Sequence, residues 1–263
     1  YKGHWHAEGA LPDSEVASCW IVKFPRGRTE ADRTVLANEA PYMAVARALG
    51  LNANPDVHWN NDCLFIRRFD RIVNPDKTVQ RLGMESLYSL AGVVDFGTAV
   101  PQDLFCRALT HYATDPKPTL EEYVKRDCLN VMLGNKDNHG RNTAVLRHED
   151  GRVALTPLFD FAPMYLDPEG IARVCRWPKN QESAGQPDWA AVVSQLPGLD
   201  DGAKRALRQS LAAWGRQLQS LADIMEKAGV YPDIIESRMY SIEENATQLV
   251  ELASTTSNLE PDP

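Results

Sequence analysis

Two segments decide the fold of this 263-residue chain: Leu133-Gly134-Asn135-Lys136-Asp137-Asn138-His139-Gly140-Arg141-Asn142 and, further along, Leu158-Phe159-Asp160-Phe161. The first places Asp137 and Asn142 five positions apart in a glycine-containing loop. Between the two segments, apolar runs at residues 143–147 and 152–156 flank an Asp-Gly pair, which predicts a β-hairpin. Because a hairpin carries the chain out and back, we expect Asp160 to return to the neighbourhood of Asn142.

This succession of a polar loop, a hairpin and an aspartate is the order found in protein kinases. In those enzymes one carboxylate accepts the proton of the attacking hydroxyl, while an asparagine and a second aspartate hold magnesium against the phosphates. An Asp-rich loop taken alone is equally typical of a solvated turn. The complete order, ending on Asp160, favours the phosphotransfer hypothesis.

The composition narrows the class of protein. A formal net charge of −8 and a pI of about 5.3 argue against a chain that coats nucleic acid or an anionic membrane through bulk charge. No apolar run approaches the ~18 residues of a membrane span, and we recognise no signal peptide. Five scattered cysteines without a Cys-x-x-Cys pair predict a reduced, cytoplasmic protein with buried thiols. Because the chain begins with Tyr1, we expect it to be a fragment or to lack its start.

The first part of the chain predicts strands and one helix. Residues 16–24 are typical of a strand, and its single charge, Lys23, either extends to solvent or reaches nucleotide phosphates. Residues 35–49 have a helical pattern. Pro41 must lie in the first turn or kink the helix, so the start can be as late as Asn38, a good N-cap. Glu39 follows at once and either pairs with Lys23 or favours the positive helix start.

A second pair of strands is expected at residues 56–59 and 62–69, and its charged end is where a kinase hinge would present backbone groups to adenine. The turn at residues 74–77 marks the expected lobe boundary. We therefore predict an N-lobe over residues 1–75 with a hinge near 66–71, a helical C-lobe over 76–253 with the catalytic loop at 134–142, and a polar tail over 254–263.

Helical patterns dominate after residue 84. The helix that leads into the catalytic loop has an expected capping box at Thr119 and Glu122 and ends at Gly134. Arg173, Arg176 and Lys179 form a basic cluster that either receives a peptide or phosphate or, as we favour, is a solvated rim. His4 and His6 are expected to be plain surface residues rather than metal ligands. The predicted helical segments are 84–90, 103–112, 120–133, 200–228 and 235–249.

The loop at residues 134–142 resembles the Gly-Asn-x-Asp-x-His-Gly-x-Asn hallmark of the HipA family of serine/threonine kinases, the toxins of bacterial toxin–antitoxin modules. The resemblance extends to an Arg-Phe-Asp-Arg hinge at residues 68–71. It also covers a Leu-x-Pro-x-Tyr-Asp segment, matched by residues 155–160 with Phe159 in place of tyrosine. The family's glycine-rich phosphate loop, which would precede Lys23, has no match, and Arg67 stands where the family often has an acidic residue.

This resemblance implies an α+β, two-lobed protein-kinase-like fold with a small β-rich N-lobe and a mainly α-helical C-lobe, using ATP and Mg²⁺. It further implies a protein substrate, in known cases an aminoacyl-tRNA synthetase, and restraint by a HipB-like DNA-binding antitoxin. The implied roles are catalytic base for Asp137, magnesium ligands for Asn142 and Asp160, phosphate contact for Lys23 with Glu39 as its partner, adenine hinge for Arg67, Arg68 and Phe69, ribose contact for Asp70, and nucleotide-site lining for His139, Gly140, Arg141, Asn142 and Phe159.

Two other functions stay open. A small-molecule kinase of the aminoglycoside or choline type would share these loops, although Arg173 and Arg176 suit a protein or a phosphate-bearing partner better. A non-catalytic binding module or a DNA-acting toxin component is the other alternative. The intact set of Lys23, Asp137 and Asp160 argues against a non-catalytic module, and the net charge argues against tight DNA binding by this chain alone.

Overall fold

The computed structural model describes residues 4–95 and 97–254. Strands come mostly first and helices mostly last. The strands are β1 (Trp20–Lys23), β2 (Val57–Asn60), β3 (Cys63–Arg67), β4 (Arg71–Val73), β5 (Val79–Arg81), β6 (Gly83–Ser86), β7 (Ala144–Arg147), β8 (Val153–Leu155), β9 (Glu182–Ser183) and β10 (Gln186–Pro187). The helices are α1 (Glu30–Ala37), α2 (Glu39–Ala48), α3 (Leu87–Leu90), α4 (Gln102–Tyr112), α5 (Pro116–Leu133), α6 (Trp189–Gln195), α7 (Asp201–Leu218), α8 (Leu221–Ala228) and α9 (Pro232–Glu251), with short 3₁₀ turns at Asp13–Glu15 and Met164–Leu166.

The first sheet has the antiparallel order β1-β3-β2 and carries Lys23. β2 and β3 confirm the second predicted pair of strands, and both residues between them, Asn61 and Asp62, have positive φ, as a tight mirror-image turn requires. β1 is shorter than the nine residues predicted. Its partner β3 ends at Arg67, opposite Trp20, and beyond that pair only the Cys19 carbonyl, which accepts from the Arg68 N–H, continues the contact.

The helix expected over residues 35–49 is in fact two helices that meet at Asn38. α1 begins with a reciprocal capping box between Thr29 and Asp32, which the sequence reading missed. Asn38 is at the N-cap position of α2, as expected, but its side chain makes no capping hydrogen bond. Its amide donates to the Thr34 carbonyl at 2.8 Å and accepts from the Tyr231 backbone N–H at 3.0 Å, so it ties the N-terminal helices to the start of α9.

The hairpin predicted between the two key segments is confirmed: β7 and β8 pair antiparallel around residues 148–151. β6 completes a three-stranded sheet by pairing with β7. The helix predicted over residues 84–90 is therefore wrong for its first half, because Met84 pairs with Leu146 in that sheet and only Leu87–Leu90 is helical.

α5 lies at the centre of the main core and leads directly into residues 134–142, the predicted catalytic loop, which is called the polar loop below. Leu120, Val124 and Cys128 on its apolar face are fully buried. The helix starts with Pro116 rather than near Thr119, so the expected capping box is wrong, while its predicted end at Gly134, in the left-handed conformation, is confirmed.

The C-terminal helices surround this core. The single helix predicted over residues 200–228 is two helices that break at Gln219-Ser220, and the break lets α7 pack on α9 while α8 packs on α2. α9 contains the predicted helix 235–249. No helix in the described part of the chain combines the length and the apolar character that a membrane span needs.

The basic cluster near Trp177 is not one surface feature. The Arg173 side chain is 9% exposed and forms ion pairs with Asp127 and Glu182, so its assignment to a solvated rim is wrong, whereas Arg176 is 53% exposed. His4 and His6 are exposed, as expected, and residues 4–95 and 97–254 contain no cluster of three or more metal-binding side chains. Nearly all of the predicted polar tail lies outside the described residues.

Candidate active site

Lys23 lies between two carboxylates from different parts of the chain. Its Nζ is 2.9 Å from Glu39 Oε1 and 2.5 Å from Asp160 Oδ1. β1 supplies the lysine, the first turn of α2 supplies the glutamate, and the segment after β8 supplies the aspartate. Lys23 and Glu39 therefore form an ion pair, which was one of the two roles expected for Glu39. Lys23 and Asp160 are 137 positions apart in the sequence and are in direct contact in the fold.

The charges in this triad are strongly coupled. Burial opposes the ammonium form of Lys23, but the Glu39 and Asp160 carboxylates outweigh burial and raise the lysine pKa above its ordinary value. Glu39 is 2% exposed, and burial, partly offset by Lys23, raises the pKa of its carboxyl to about 7. The ammonium of Lys23 is thus held in its charged form between the two carboxylates.

Asp137 lies in the polar loop beside Asn142. The Asn142 amide Nδ2 donates to the Asp137 carbonyl at 2.8 Å and approaches its carboxylate at 3.4 Å. Burial raises the pKa of the Asp137 carboxyl, and the Asp160 carboxylate raises it further, while His139, Asn142 and Arg26 act in the opposite direction. The Asn135 amide Nδ2 of the same loop lies 3.5 Å from the Asp160 carbonyl oxygen, so the loop and the segment that carries Asp160 are in contact.

His139 is oriented towards this carboxylate. Its Nδ1 accepts from the Arg141 backbone N–H at 3.3 Å, which leaves Nε2 as the atom that faces Asp137 Oδ1 at 3.6 Å. The ring stacks on Tyr88 with 6.3 Å between centroids. A Cβ at Gly140 would lie 2.7 Å from Tyr88, so glycine is required for this close packing.

The loop is held at its root by α9 and by the segment after Asp160. Arg238 donates to the carbonyls of Met132 and Val131 at 2.8 and 3.0 Å, at the negative end of α5. The Tyr165 N–H donates to the Gly134 carbonyl at 3.0 Å. Gly134 has a φ of +72° and a Cβ there would lie 2.6 Å from the Tyr165 ring, so no other residue fits without displacement.

Asp160 has a left-handed backbone conformation, with a φ of +55°. For a residue other than glycine this conformation costs free energy and occurs often at functional sites. The preceding Phe159 contacts Phe69 of the expected hinge, with 5.8 Å between ring centroids. The two aromatic rings bring the hinge and the metal-site candidate together.

Within the expected hinge, residues 66–71, some backbone groups are hydrogen-bonded to the protein and others are not. The Arg67 N–H donates to Asp56, the Arg67 carbonyl accepts from Asn54, and the Arg68 N–H donates to Cys19. The backbone groups of Phe69 make no hydrogen bond with the described residues. Phe69 is therefore the position of this hinge best suited to offer backbone groups to a base.

Asp70 is placed less favourably for the ribose. It is 7% exposed, and its carboxylate oxygens accept from Arg68 at 2.9 and 2.6 Å and from Arg71 at 2.6 Å. The guanidinium groups hold the carboxylate in its charged form, since burial is outweighed and the Asp70 pKa lies below its ordinary value. Its visible role is to fix the shape of the hinge.

Sequence reasoning missed two residues beside this centre. Ile21 is two positions before Lys23, so the two residues lie on the same face of β1, and Ile21 is 47% exposed. The i, i+2 spacing from the predicted lysine is the sequence signal that could have identified Ile21. Arg26 contacts Glu169 at 2.6 Å and Asp167 at 3.4 Å, and it lowers the pKa of Asp137. No motif in the sequence pointed to this contact across the site.

A cavity of about 440 Å³ lies elsewhere, beside the hinge on the side of the N-terminal segment. Trp5, Trp20, Arg68 and Arg71 are among its lining residues, and neither Lys23 nor the loop aspartate contributes to it. The cavity therefore does not coincide with the charged centre that the sequence predicted.

The donor set suits magnesium. Asn142 uses its Nδ2 on the Asp137 carbonyl, which leaves the amide oxygen for a cation, and Asp160 adds a carboxylate. Mg²⁺ binds to hard oxygen ligands and takes one or two protein groups together with substrate phosphates and water. Two oxygen ligands without a third are thus a fitting complement for a metal that arrives with a nucleotide.

The chain is similar to several known proteins. A family model described as the HipA-like C-terminal domain matches residues 7–228. The protein named putative kinase Y4mE of Sinorhizobium fredii is 28% identical over 162 residues, which cover 58% of this chain and 37% of that protein. The chain thus spans little more than a third of this curated relative.

Two solved structures share the fold. One is the complex of HipA, HipB and operator DNA from Shewanella oneidensis MR-1, with a TM-score of 0.60, 22% identity, and coverage of 90% of this chain and 58% of that chain. The other is the proinflammatory kinase CtkA of Helicobacter pylori, with a TM-score of 0.56, 15% identity, and coverage of 91% and 90%. They confirm the predicted α+β, two-lobed, kinase-like fold class. Since the family model also covers most of its length, this chain belongs to the HipA-like C-terminal domain family.

Proposed function

We propose that this chain carries the catalytic centre of an ATP- and Mg²⁺-dependent protein kinase that transfers the γ-phosphoryl group to a serine or threonine hydroxyl. The observation that carries the proposal is the position of Lys23, 2.9 Å from Glu39 and 2.5 Å from Asp160, next to the Asp137–Asn142 pair. Phosphoryl transfer requires a cation for the phosphates, oxygen ligands for the metal and a carboxylate for the hydroxyl. We assign these three roles to Lys23, to the pair of Asn142 and Asp160, and to Asp137.

The nucleotide would bind between the two lobes. Lys23 exchanges Asp160 for the α- and β-phosphates while Glu39 continues to orient its ammonium group. The hinge at Arg67, Arg68 and Phe69 receives the adenine, with the unbonded backbone of Phe69 as its main contact. A ribose contact by Asp70 would require one of its oxygens to leave an arginine, so we assign that residue mainly to the hinge.

The polar loop would position the acceptor and the metal. Asn142 and Asp160 would hold magnesium, which would supply positive charge against the transferred phosphoryl group. Asp137 accepts the proton of the attacking hydroxyl at its carboxylate. Because phosphoryl transfer asks for little covalent chemistry from the protein, the fixed geometry of these side chains supplies most of the catalysis.

The first test is phosphotransfer from γ-labelled ATP. We expect the Asp137→Asn and Asp160→Asn variants to lose labelling of the acceptor while their thermal unfolding stays cooperative. Asp223→Asn, an exposed aspartate of α8, is the matched control and should keep wild-type activity. Unchanged labelling in either active-site variant would contradict the assignment.

The same assay with γ-labelled ATP distinguishes a protein acceptor from a small-molecule acceptor. We propose a protein acceptor, with an aminoacyl-tRNA synthetase as the first candidate, and growth inhibition as the consequence. Labelling of an aminoglycoside or of choline instead of a lysate protein would identify a small-molecule kinase. A phosphoproteomic comparison of cells that make the wild type and the Asp137→Asn variant would name the target.

We also propose a HipB-like antitoxin partner. The proposal is supported by the likeness to Shewanella HipA, whose solved structure contains HipB and operator DNA. The net charge of −8 argues that DNA contact comes through the partner rather than through this chain. Salt-sensitive DNA binding by the isolated chain would contradict that division of labour.

A further inference from the structure

Asp127 of α5 is a buried carboxylate that has no role in the phosphotransfer proposed above. It is 2% exposed and accepts hydrogen bonds from four side chains. Two donors bind to each oxygen, so the acceptor capacity of the carboxylate is well used. The donors are Gln102 Nε2 at 3.2 Å and Asn138 Nδ2 at 2.6 Å on Oδ1, and Arg173 Nη2 at 2.8 Å and Trp177 Nε1 at 2.7 Å on Oδ2.

These donors come from three separate segments. Asn138 belongs to the polar loop and follows Asp137 directly. Arg173 and Trp177 belong to the segment after Asp160, and Gln102 begins α4. One carboxylate on a rigid core helix therefore connects the loop that carries the base with the chain that follows the metal-site aspartate.

Asp127 forms a buried ion pair with Arg173. Arg173 bridges it to Glu182, with Nη1 3.0 Å from Glu182 Oε2, and the same glutamate oxygen accepts from the Trp177 backbone N–H at 2.8 Å. Each oxygen of Asp127 has two donors, although Arg173 Nε and Glu182 Oε1 have no hydrogen-bond partner among the described residues. A buried carboxylate held by several donors is fixed in place, whereas loss of one partner leaves an uncompensated group. The network is thus suited to hold a neighbouring loop in one geometry.

We propose that Asp127 is a positioning residue for phosphotransfer, acting through Asn138 on the place of Asp137; this inference rests on the proposed function. The amide of Asn138 is anchored to Asp127, and the next peptide upstream carries Asp137, whose carbonyl binds to Asn142 at 2.8 Å. Release of Asn138 shifts Asp137 relative to Asn142. The Lys23–Glu39 pair is on other elements and is left in place.

The expected effect is therefore on turnover and not on nucleotide binding. A displacement of about 1 Å at a reacting group lowers the rate by roughly 100-fold. We expect a 10- to 100-fold lower kcat, to that order, with the KM for ATP unchanged. A merely structural role would lower the amount of folded protein without this separation of kcat from KM.

The test uses Asn138→Ala and Asp127→Asn in the full chain, with γ-labelled ATP and lysate acceptor. Asn138→Ala removes one donor and leaves the Arg173 pairing intact, so it stays informative where Asp127→Asn does not fold. Asn245→Ala is the matched control, because Asn245 is fully buried and binds Trp189 and Ser241, neither of which belongs to the polar loop. Binding of a fluorescent ATP analogue measures the nucleotide site separately.

Amide hydrogen exchange of residues 135–142 gives a readout that does not depend on activity. We expect faster exchange of this loop in Asn138→Ala, with α5 still protected, and no change there in Asn245→Ala. Equal kcat values in these two variants overturn the proposal, as does unchanged exchange of the loop. If the wild type transfers no phosphate, the proposed function fails, while the exchange data still decide whether Asp127 holds the loop.

Discussion

Glu39→Gln should separate the function of the buried glutamate from its effect on stability. The substitution keeps the shape of the side chain and one hydrogen bond to Lys23, but it removes the negative charge. Glu39 is almost fully buried, and its Oε1 and Oε2 lie 2.9 and 3.1 Å from the lysine Nζ. The Glu39 carboxylate that orients Lys23 is therefore cut off from water, and this loss of hydration lowers the stability of the folded protein.

The size of that cost follows from the pKa of Glu39, which is about 7 against an ordinary value of 4.5. The folded protein binds the proton more tightly than the unfolded chain, so the free energy of unfolding falls as the pH rises between these values. Once Glu39 is ionised, the loss amounts to about 3 kcal/mol. A glutamine at this position does not titrate. The free energy of unfolding of Glu39→Gln relative to that of the wild type should therefore rise by about 2–3 kcal/mol between pH 5 and pH 8.

Urea unfolding at pH 5 and pH 8, without nucleotide, measures this difference. Glu236→Gln, at an exposed position of α9, is the control and should follow the wild type at both pH values. Binding of an ATP analogue should meanwhile weaken roughly ten- to hundredfold in Glu39→Gln, because Lys23 loses a charged partner. The reasoning is refuted if the difference in unfolding free energy between wild type and Glu39→Gln is the same at both pH values.

Three further changes test other parts of the site. His139→Gln should move the acidic limb of the kcat/KM profile to higher pH, because His139 lowers the pKa of Asp137 and its loss lets that pKa rise; an unshifted limb in a pH–rate series contradicts this. Gly134→Ala should destabilise the fold by about 1–3 kcal/mol through its φ of +72° and the contact with Tyr165, measured by urea unfolding, and wild-type stability would exclude the strain. Leu129→Ala, at a fully buried position of α5, should cost about 2–5 kcal/mol by the same measurement, and a loss below 1 kcal/mol, on that order, would place Leu129 outside a packed core.

The polar loop and the hairpin were predictable because their information is local. The spacing of Asp137 and Asn142, the Asp-Gly turn and the return of the chain at Asp160 all follow from short-range rules. The end of α5 at Gly134 was predictable for the same reason, since a left-handed C-terminal position favours glycine.

The failures depend on partners that are distant in sequence. Met84 lies in a pattern that fits a helix, but pairing with Leu146 makes it part of a strand. Arg173 looks like a surface charge until Asp127, 46 residues earlier, is found opposite it. The start of α1 was missed for another reason: only Leu36 and Ala37 of that helix are buried, so its apolar pattern is weak although the capping box at Thr29 is local.

The most direct measurement is a crystal structure with Mg²⁺ and a non-hydrolysable ATP analogue. We expect Mg²⁺ about 2.0–2.1 Å from an oxygen of Asn142 and an oxygen of Asp160, with Lys23 Nζ moved from Asp160 to the phosphates. A nucleotide bound elsewhere, for example in the cavity beside Trp5, with the Lys23–Asp160 contact still closed at 2.5 Å, would contradict the proposed catalytic centre.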